Sequence, residues 1–100
     1  MILEYEIFTT QNFDTWLQSI KDNRAKARIL NRIDLMESGH FGDHKSLGKR
    51  LYELRLFYGP GYRVYYTLKN RQIVLLVSGG DKSTQERDIR KAYKLIEEIE

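Results

Sequence analysis

Cysteine is absent from the sequence, and proline and histidine are scarce, one and two residues respectively among 100. Without thiolates, neither a disulfide framework nor a zinc–thiolate centre can form, so the chain needs no oxidising compartment. No apolar run approaches the roughly 20 residues that a membrane-spanning helix requires. The opening Met1-Ile2-Leu3-Glu4 lacks the basic and long apolar regions of a secretory signal. The expectation is therefore a cytoplasmic protein with no membrane partner. Metal-ligand spacing, a glycine-rich phosphate loop and a Ser-His-Asp arrangement are also missing, so neither a metal nor another cofactor is expected. What is present is ordinary globular chemistry: 41% hydrophobic against 31% charged residues, enough to bury one core. The length fits a single domain spanning 1–100, with no linker, repeat or low-complexity stretch to divide it.

The formal net charge is only +3, so its distribution carries more information than its total. Acidic residues gather at the end (Glu97, Glu98, Glu100), while Lys45, Lys49, Arg50, Arg55 and Arg63 crowd the middle. That middle is the candidate phosphate-facing region.

Residues 2–8 are rich in β-branched and aromatic types and predict a first strand. Phe13, Trp16, Leu17 and Ile20 then share a helical face, with Thr10 or Asn12 as cap. Ile29, Leu30, Ile33 and Met36 continue the helical period after Asp22-Asn23, and Gly39 ends it in a left-handed turn. From His40 to Arg50 the composition is that of a loop. A hairpin follows, with strands Leu51 to Tyr58 and Tyr62 to Leu68 joined at Gly59-Pro60-Gly61. Symmetric pairing about Pro60 sets Leu56 against Val64 and Leu54 against Tyr66. The opposite face then carries Glu53, Arg55, Arg63, Tyr65 and Thr67. Ile73 to Val77 reads as a central strand, broken at Gly79-Gly80-Asp81-Lys82. Ser83 and Glu86 have the spacing of a capping box before a final helix whose buried stripe is Ile89, Ala92, Tyr93 and Ile96. The order β-α-α-β-β-β-α predicts an α+β fold: a small antiparallel sheet with an N-terminal helical hairpin and a C-terminal helix, all helices on one side.

The run Leu51-Tyr52-Glu53-Leu54-Arg55, the segment Gly59-Pro60-Gly61-Tyr62-Arg63-Val64-Tyr65-Tyr66 and the stretch Gly79-Gly80-Asp81-Lys82-Ser83-Thr84-Gln85 with Asp88-Ile89 together resemble the RelE/ParE toxin superfamily. More narrowly, they are similar to its HigB/RelE-like branch of addiction-module killer proteins, and the likeness spans essentially the whole chain. It implies the toxin of a type II toxin–antitoxin system: a ribosome-dependent mRNA interferase, that is, a metal-independent endoribonuclease that inhibits translation. The implied partners are the ribosome, mRNA and a cognate helix-turn-helix antitoxin encoded beside it. The superfamily also contains ParE-like members that inhibit DNA gyrase, so a non-nuclease toxin is the alternative, as is an antitoxin-binding module without toxicity.

Cutting RNA without a metal needs a base for the 2′-hydroxyl proton, positive charge for the phosphorane-like transition state and an acid for the leaving oxygen. By resemblance, the arginine of Gly61-Tyr62-Arg63 supports the scissile phosphate, and a guanidinium suits that task. The alternative for Arg63 is a salt bridge with Glu53 or a cross-strand partner. Arg55 lies near it on the polar hairpin face, where two facing cations call for an anion, unless Glu53 neutralises Arg55 locally. Ribonuclease members carry lysines in this strand, at the positions of Glu53 and Arg55, so a carboxylate, Glu53, becomes an alternative base. Lys82 stands at the entrance to the last helix, where a phosphate is favoured, or else it is solvated beside a turn and cap. His44, and less so His40, has the imidazole chemistry of an acid or base, or is simply an exposed loop residue. Lys45, Lys49 and Arg50 are expected to attract RNA, or to be solvated charges, and Tyr65 to stack on a base. Some ribonuclease members place a tyrosine at the start of the last helix, where this chain has Gln85, Glu86 and Asp88, with Tyr93 further along. Trp16 and Phe13 belong to the core.

Overall fold

The first two helices each begin where a side-chain oxygen takes up the first free amides. In this computed structural model, which describes residues 4–99, strand β1 (Glu6–Thr9) leads into helix α1 (Gln11–Ser19), and Thr10 caps α1 by accepting from Phe13 N at 3.1 Å. Asp22 caps helix α2 (Asn23–Glu37) by accepting from Arg24 N at 2.9 Å and Ala25 N at 3.3 Å. Helix α2 ends as its sequence predicts, at Gly39 with φ of 83°, in the left-handed region that glycine enters without a Cβ penalty. Strands β2 (His44–Gly48), β3 (Leu51–Leu56), β4 (Tyr62–Lys69) and β5 (Ile73–Asp81) follow, then a 3-10 turn (Lys82–Thr84) and helix α3 (Gln85–Ile99).

The class is α+β as expected, but the sheet is mixed rather than antiparallel. Its order is β1-β5-β4-β3-β2, and β1 runs parallel to β5, Glu6 opposite Ile73 through Thr9 opposite Leu76. A parallel pair needs a crossover, and the whole α1–α2 hairpin with three strands separates β1 from β5, a long-range pairing that local periodicity does not encode. The segment read as a loop from His40 to Arg50 contains β2. It is a polar, mostly exposed edge strand whose only half-buried residue is Leu47, so it carries no hydrophobic alternation, and its strand character comes from backbone bonds to β3. The β2–β3 connection uses Lys49 and Arg50 at φ of 50° and 67°, the two positive values of a hairpin turn of the primed type.

Helices cover both faces of the sheet, which corrects the expectation of one. Phe13, Ile20, Ala25, Ile29, Ile33 and Met36 of the hairpin pack on Leu54, Leu56, Val64, Tyr66, Val74 and Leu76. Ala92 and Ile96 of α3 pack on the other side, over Leu51, Tyr65 and Val77. The continuous apolar run of β5 is what such two-sided burial requires. The β3–β4 register is two residues from the symmetric one: Leu56 faces Tyr62, Arg55 faces Arg63 and Leu54 faces Val64. A shift of two preserves the faces, so the division into apolar and polar sides survives the correction. Gly79 and Gly80 do not break β5. They lie within it, opposite Val64 and Arg63, after a bulge that leaves Val77 between the Tyr65–Ser78 and Tyr66–Leu76 pairs.

Candidate functional site

The β3–β4 register sets two guanidinium groups directly across from each other on the α3 face, Arg55 opposite Arg63. Like charges in direct cross-strand pairing repel, and the protein answers each with its own carboxylate. Arg55 Nη2 donates to Asp43 Oδ1 at 2.8 Å, and Arg63 Nε lies 3.8 Å from Glu53 Oε2. Arg63 Nη1 also donates to the carbonyls of Gly61 at 3.2 Å and Tyr62 at 3.4 Å. The two arginines differ in access: the Arg63 side chain is 8% exposed, that of Arg55 32%. Arg55 is thus the cation that a dissolved anion meets, and Arg63 is enclosed behind it.

The enclosure is built by α3. Gln85, the first residue of that helix, donates from Nε2 to Glu53 Oε2 at 2.8 Å, which fixes the helix start over β3. One turn on, Asp88 lies over Gly80 and accepts from Thr84 Oγ1 at 2.5 Å. The positions noted for lacking a family tyrosine, Gln85 and Asp88, therefore carry the roof of the polar cluster. Tyr93 is structural, donating to Leu47 O at 2.7 Å and Gly48 O at 3.1 Å and so fastening α3 to the β2 edge.

Lys82 begins beside the cluster, since its Cβ and the Arg63 guanidinium both flank Gly61, and the residue is exposed. The anion site expected at the start of the last helix is instead filled from within. Asp81, rather than a Ser83 capping box, accepts from Ser83 N at 2.8 Å and Ser83 Oγ at 2.5 Å, so those donors are already satisfied. Lys45 is the cross-strand neighbour of Glu53 and is exposed on the same side.

Four expected residues lie elsewhere. His44 pairs with Leu54 and so belongs to the opposite face, where its ring sits 5.8 Å from Phe41 and Nδ1 bonds the Gly42 carbonyl at 2.9 Å. It is on a strand, whose side-chain alternation directs it away from the arginines. Lys49 and Arg50 occupy the β2–β3 turn, beside Tyr93, Ile96 and Glu97. That is at least four strand residues from Arg55, or about 13 Å. His40 is exposed just beyond α2.

Tyr65 is corrected from a base-stacking residue to a buried one, because α3 covers its face. Its hydroxyl has no partner in good hydrogen-bonding geometry, the nearest acceptor being the Glu53 carboxylate, to which it is at most weakly bonded. Burial, then the charges of Glu53 and Asp88, hold its pKa far above the ordinary tyrosine value. Tyr66, buried on the other face, is raised mainly by burial as well. A raised folded-state pKa means that the unfolded chain loses its proton first as pH rises. The stability these two groups contribute is therefore complete below the unfolded value of about 10 and is lost progressively above it. Urea midpoints measured from pH 8 to 11 should fall above pH 10. Tyr65→Phe should flatten that fall and leave stability at pH 8 within about 1 kcal/mol of the parent, since the hydroxyl removed has at most a weak bond to Glu53.

Two supports had no signal in the sequence. Asp43, partner of Arg55, sits in the segment before β2, and Arg32 of α2 holds that segment by donating to the carbonyls of Arg55 at 2.8 Å, Phe41 at 3.2 Å and Asp43 at 3.1 Å. Burial lowers the Arg32 pKa and Asp43 opposes that shift.

Residues 15–98 match the family described as phage derived protein Gp49-like (DUF891). An uncharacterized protein of Haemophilus influenzae is 48% identical over 94 residues, which are 94% of this chain and 95% of that one. The fold is similar to that in the crystal structure of the intact E. coli RelBE toxin-antitoxin complex, with a TM-score of 0.63 at 18% identity, over 77% of this chain and 95% of that one. It is equally similar to the isolated E. coli RelE toxin, with a TM-score of 0.62 at 17% identity, over 86% and 97% of the two chains.

Proposed function

The chain belongs to the phage-derived Gp49-like family and has the fold of RelE, and from that premise we propose that it is the toxin of a type II toxin–antitoxin pair, a HigB-like mRNA interferase that cuts mRNA on the ribosome in the cytoplasm and is held inert by a helix-turn-helix antitoxin. The observation that carries this reading is the direct pairing of Arg55 and Arg63 on one face, with Lys82 and Lys45 beside them. Cations grouped on one face suit a phosphodiester in its most charged state, the pentacoordinate phosphorane.

In this reading the 2′-oxygen forms a bond to phosphorus and the bond from phosphorus to the 5′-oxygen breaks, leaving a cyclic phosphate and a 5′-hydroxyl end. Arg55 meets the non-bridging oxygens first, since it is the exposed member of the pair. Arg63 adds charge from behind, and Glu53 is a positioning residue that holds it. Of the two carboxylates at the arginines, Glu53 is sealed beneath Gln85 while Asp43 is one-third exposed. Asp43 is therefore the group placed to accept the 2′-hydroxyl proton, with water protonating the leaving oxygen.

Mapping RNA 5′ ends after brief induction tests the proposal. Cuts should fall within codons at ribosome-positioned sites, and Arg55→Ala should reduce them about 100-fold, the loss typical of one charge-stabilising donor, while the variant stays folded by circular dichroism. A folded Arg55→Ala chain of full toxicity would exclude the site. Intact mRNA with linearised plasmid DNA would point to a gyrase inhibitor instead, and unimpeded growth on wild-type expression to a module without toxicity.

A further inference from the structure

Arg24, Arg28 and Arg32 follow one another on α2 at four-residue spacing, so they form one row along the helix flank, and Leu35, 42% exposed, continues it. The acids of α2, Asp34 and Glu37, fall on another side of the helix. Arginines at this spacing repel and give α2 nothing by themselves. Arg32 is satisfied by three carbonyls, whereas Arg28 is 4.5 Å above the Tyr58 ring, and no carboxylate pairs with Arg24 or Arg28 among the described residues. Beside the row, the chain leaving β3 holds Phe57 82% exposed, the most exposed large apolar side chain among the described residues. Between them lies a cavity of about 170 Å³ lined by Arg28, Asn31, Arg32, Leu56, Phe57 and Tyr58.

Size and chemistry narrow the occupant. Small-molecule sites run from about 300 to 1,000 Å³, so this cavity takes one side chain rather than a metabolite or nucleotide. An apolar floor and lip with a cationic rim complement a segment that is acidic yet apolar on one side. RNA would answer the arginines and stack on Phe57, but it offers nothing aliphatic for Leu35 or for the narrow floor at Leu56.

We propose that this groove is a docking site for an acidic amphipathic segment of the antitoxin, seating one apolar side chain over Leu56 beside Phe57 and setting its carboxylates against Arg24 and Arg28. The proposal rests on the toxin–antitoxin reading above but not on the nuclease chemistry, because α2 and the arginine pair lie on opposite faces of the sheet. The protein encoded by the adjacent gene then grips the toxin through a surface that leaves Arg55 uncovered.

Calorimetric titration of the purified chain with the product of the adjacent gene tests this. Phe57→Ala should weaken the complex about tenfold or more, as a buried aromatic anchor does. Arg28→Glu should weaken it comparably, by a factor that shrinks as salt is added. Arg90→Glu, on α3, should leave it unchanged. In cells, the Phe57 and Arg28 variants should stop growth as the parent does but escape rescue by the co-expressed neighbour. Absence of a complex, or unchanged affinity in both variants, overturns the docking site. So does loss of poly(U) RNA binding in these variants with the complex intact, which would make the surface an RNA contact. A parent chain that cuts no mRNA yet shows the expected affinity changes would sink the nuclease reading and leave the docking site standing.

Discussion

Glu53→Ala should destabilise the protein by about 3–5 kcal/mol, the usual cost of removing one member of a buried ion pair. The expectation follows from what surrounds the carboxylate. Glu53 is sealed, its Oε2 accepts the 2.8 Å bond from Gln85, and the enclosed Arg63 guanidinium lies 3.8 Å away. Truncation strands a desolvated cation, removes the acceptor that holds the start of α3 and leaves a void where the side chain packed. A domain of this size has a margin on the order of 5 kcal/mol, so urea unfolding followed by circular dichroism should show a chain near its threshold. The pair itself is worth far less than this cost. The double substitution of Glu53→Leu with Arg63→Met should recover most of the loss, because matched apolar groups avoid the desolvation that the ions incur. A Glu53→Ala chain within 1 kcal/mol of the parent would mean that Arg63 reaches water, contrary to its enclosure here. This dependence also bears on function: a chain that keeps an enclosed arginine at the cost of a buried carboxylate gives up stability that an apolar pair would retain. The double variant, stable but without either ion, should therefore separate the structural role of the pair from its part in the proposed cleavage.

The parts of this molecule that are local in the chain were legible in its sequence. Thr10 and Gly39 mark helix ends through interactions within a few residues, and the alternation in β3 and β4 assigned Arg55 and Arg63 to one face even though the register was two residues off. What escaped was decided by contacts between distant segments. β1 pairs with β5 across some 60 residues of sequence. β2 is a strand because β3 supplies its hydrogen bonds, not because of its own residue types. The second covered face arises because α3 crosses to the side opposite α1 and α2, which reversed the reading of Tyr65 from an exposed platform to a buried ring. The candidate site divided the same way. The cross-strand arginines and the possible Arg63–Glu53 pair followed from strand geometry, while Asp43 and the Arg32 brace depended on how a loop folds against a helix. His44, expected in a loop as an acid or base or else as an exposed residue, is exposed on a strand whose alternation turns it away from the arginines.

Gly79→Ala should cost about 1–3 kcal/mol, although its backbone has no need of glycine. Gly79 has no positive φ and sits in regular β5 opposite Val64, a conformation alanine adopts freely. The obstacle is spatial, because a methyl group there would collide with the six-membered ring of Trp16. Moving Trp16 aside would cost its packing against Phe13, with centroids 5.8 Å apart, and against Tyr62, at 6.4 Å. Close-packed interiors transmit such an intrusion to their neighbours instead of absorbing it. The discriminating measurement is a double-mutant cycle with Trp16→Ala. If steric conflict with the indole is the whole effect, Gly79→Ala should be nearly neutral once the ring is gone, with a coupling of roughly 1–2 kcal/mol. Additive costs would instead place the penalty in the β5 backbone or its bulge. The same logic separates Gly80, where the intruding methyl group would meet the Asp88 carboxylate. Asp88 is held by Thr84 on the first turn of α3, so Gly80→Ala should disturb the roof over Arg63 and reach the face proposed to meet phosphate, whereas Gly79→Ala acts on the opposite face and should lower stability while sparing the proposed RNA cleavage by the fraction that remains folded.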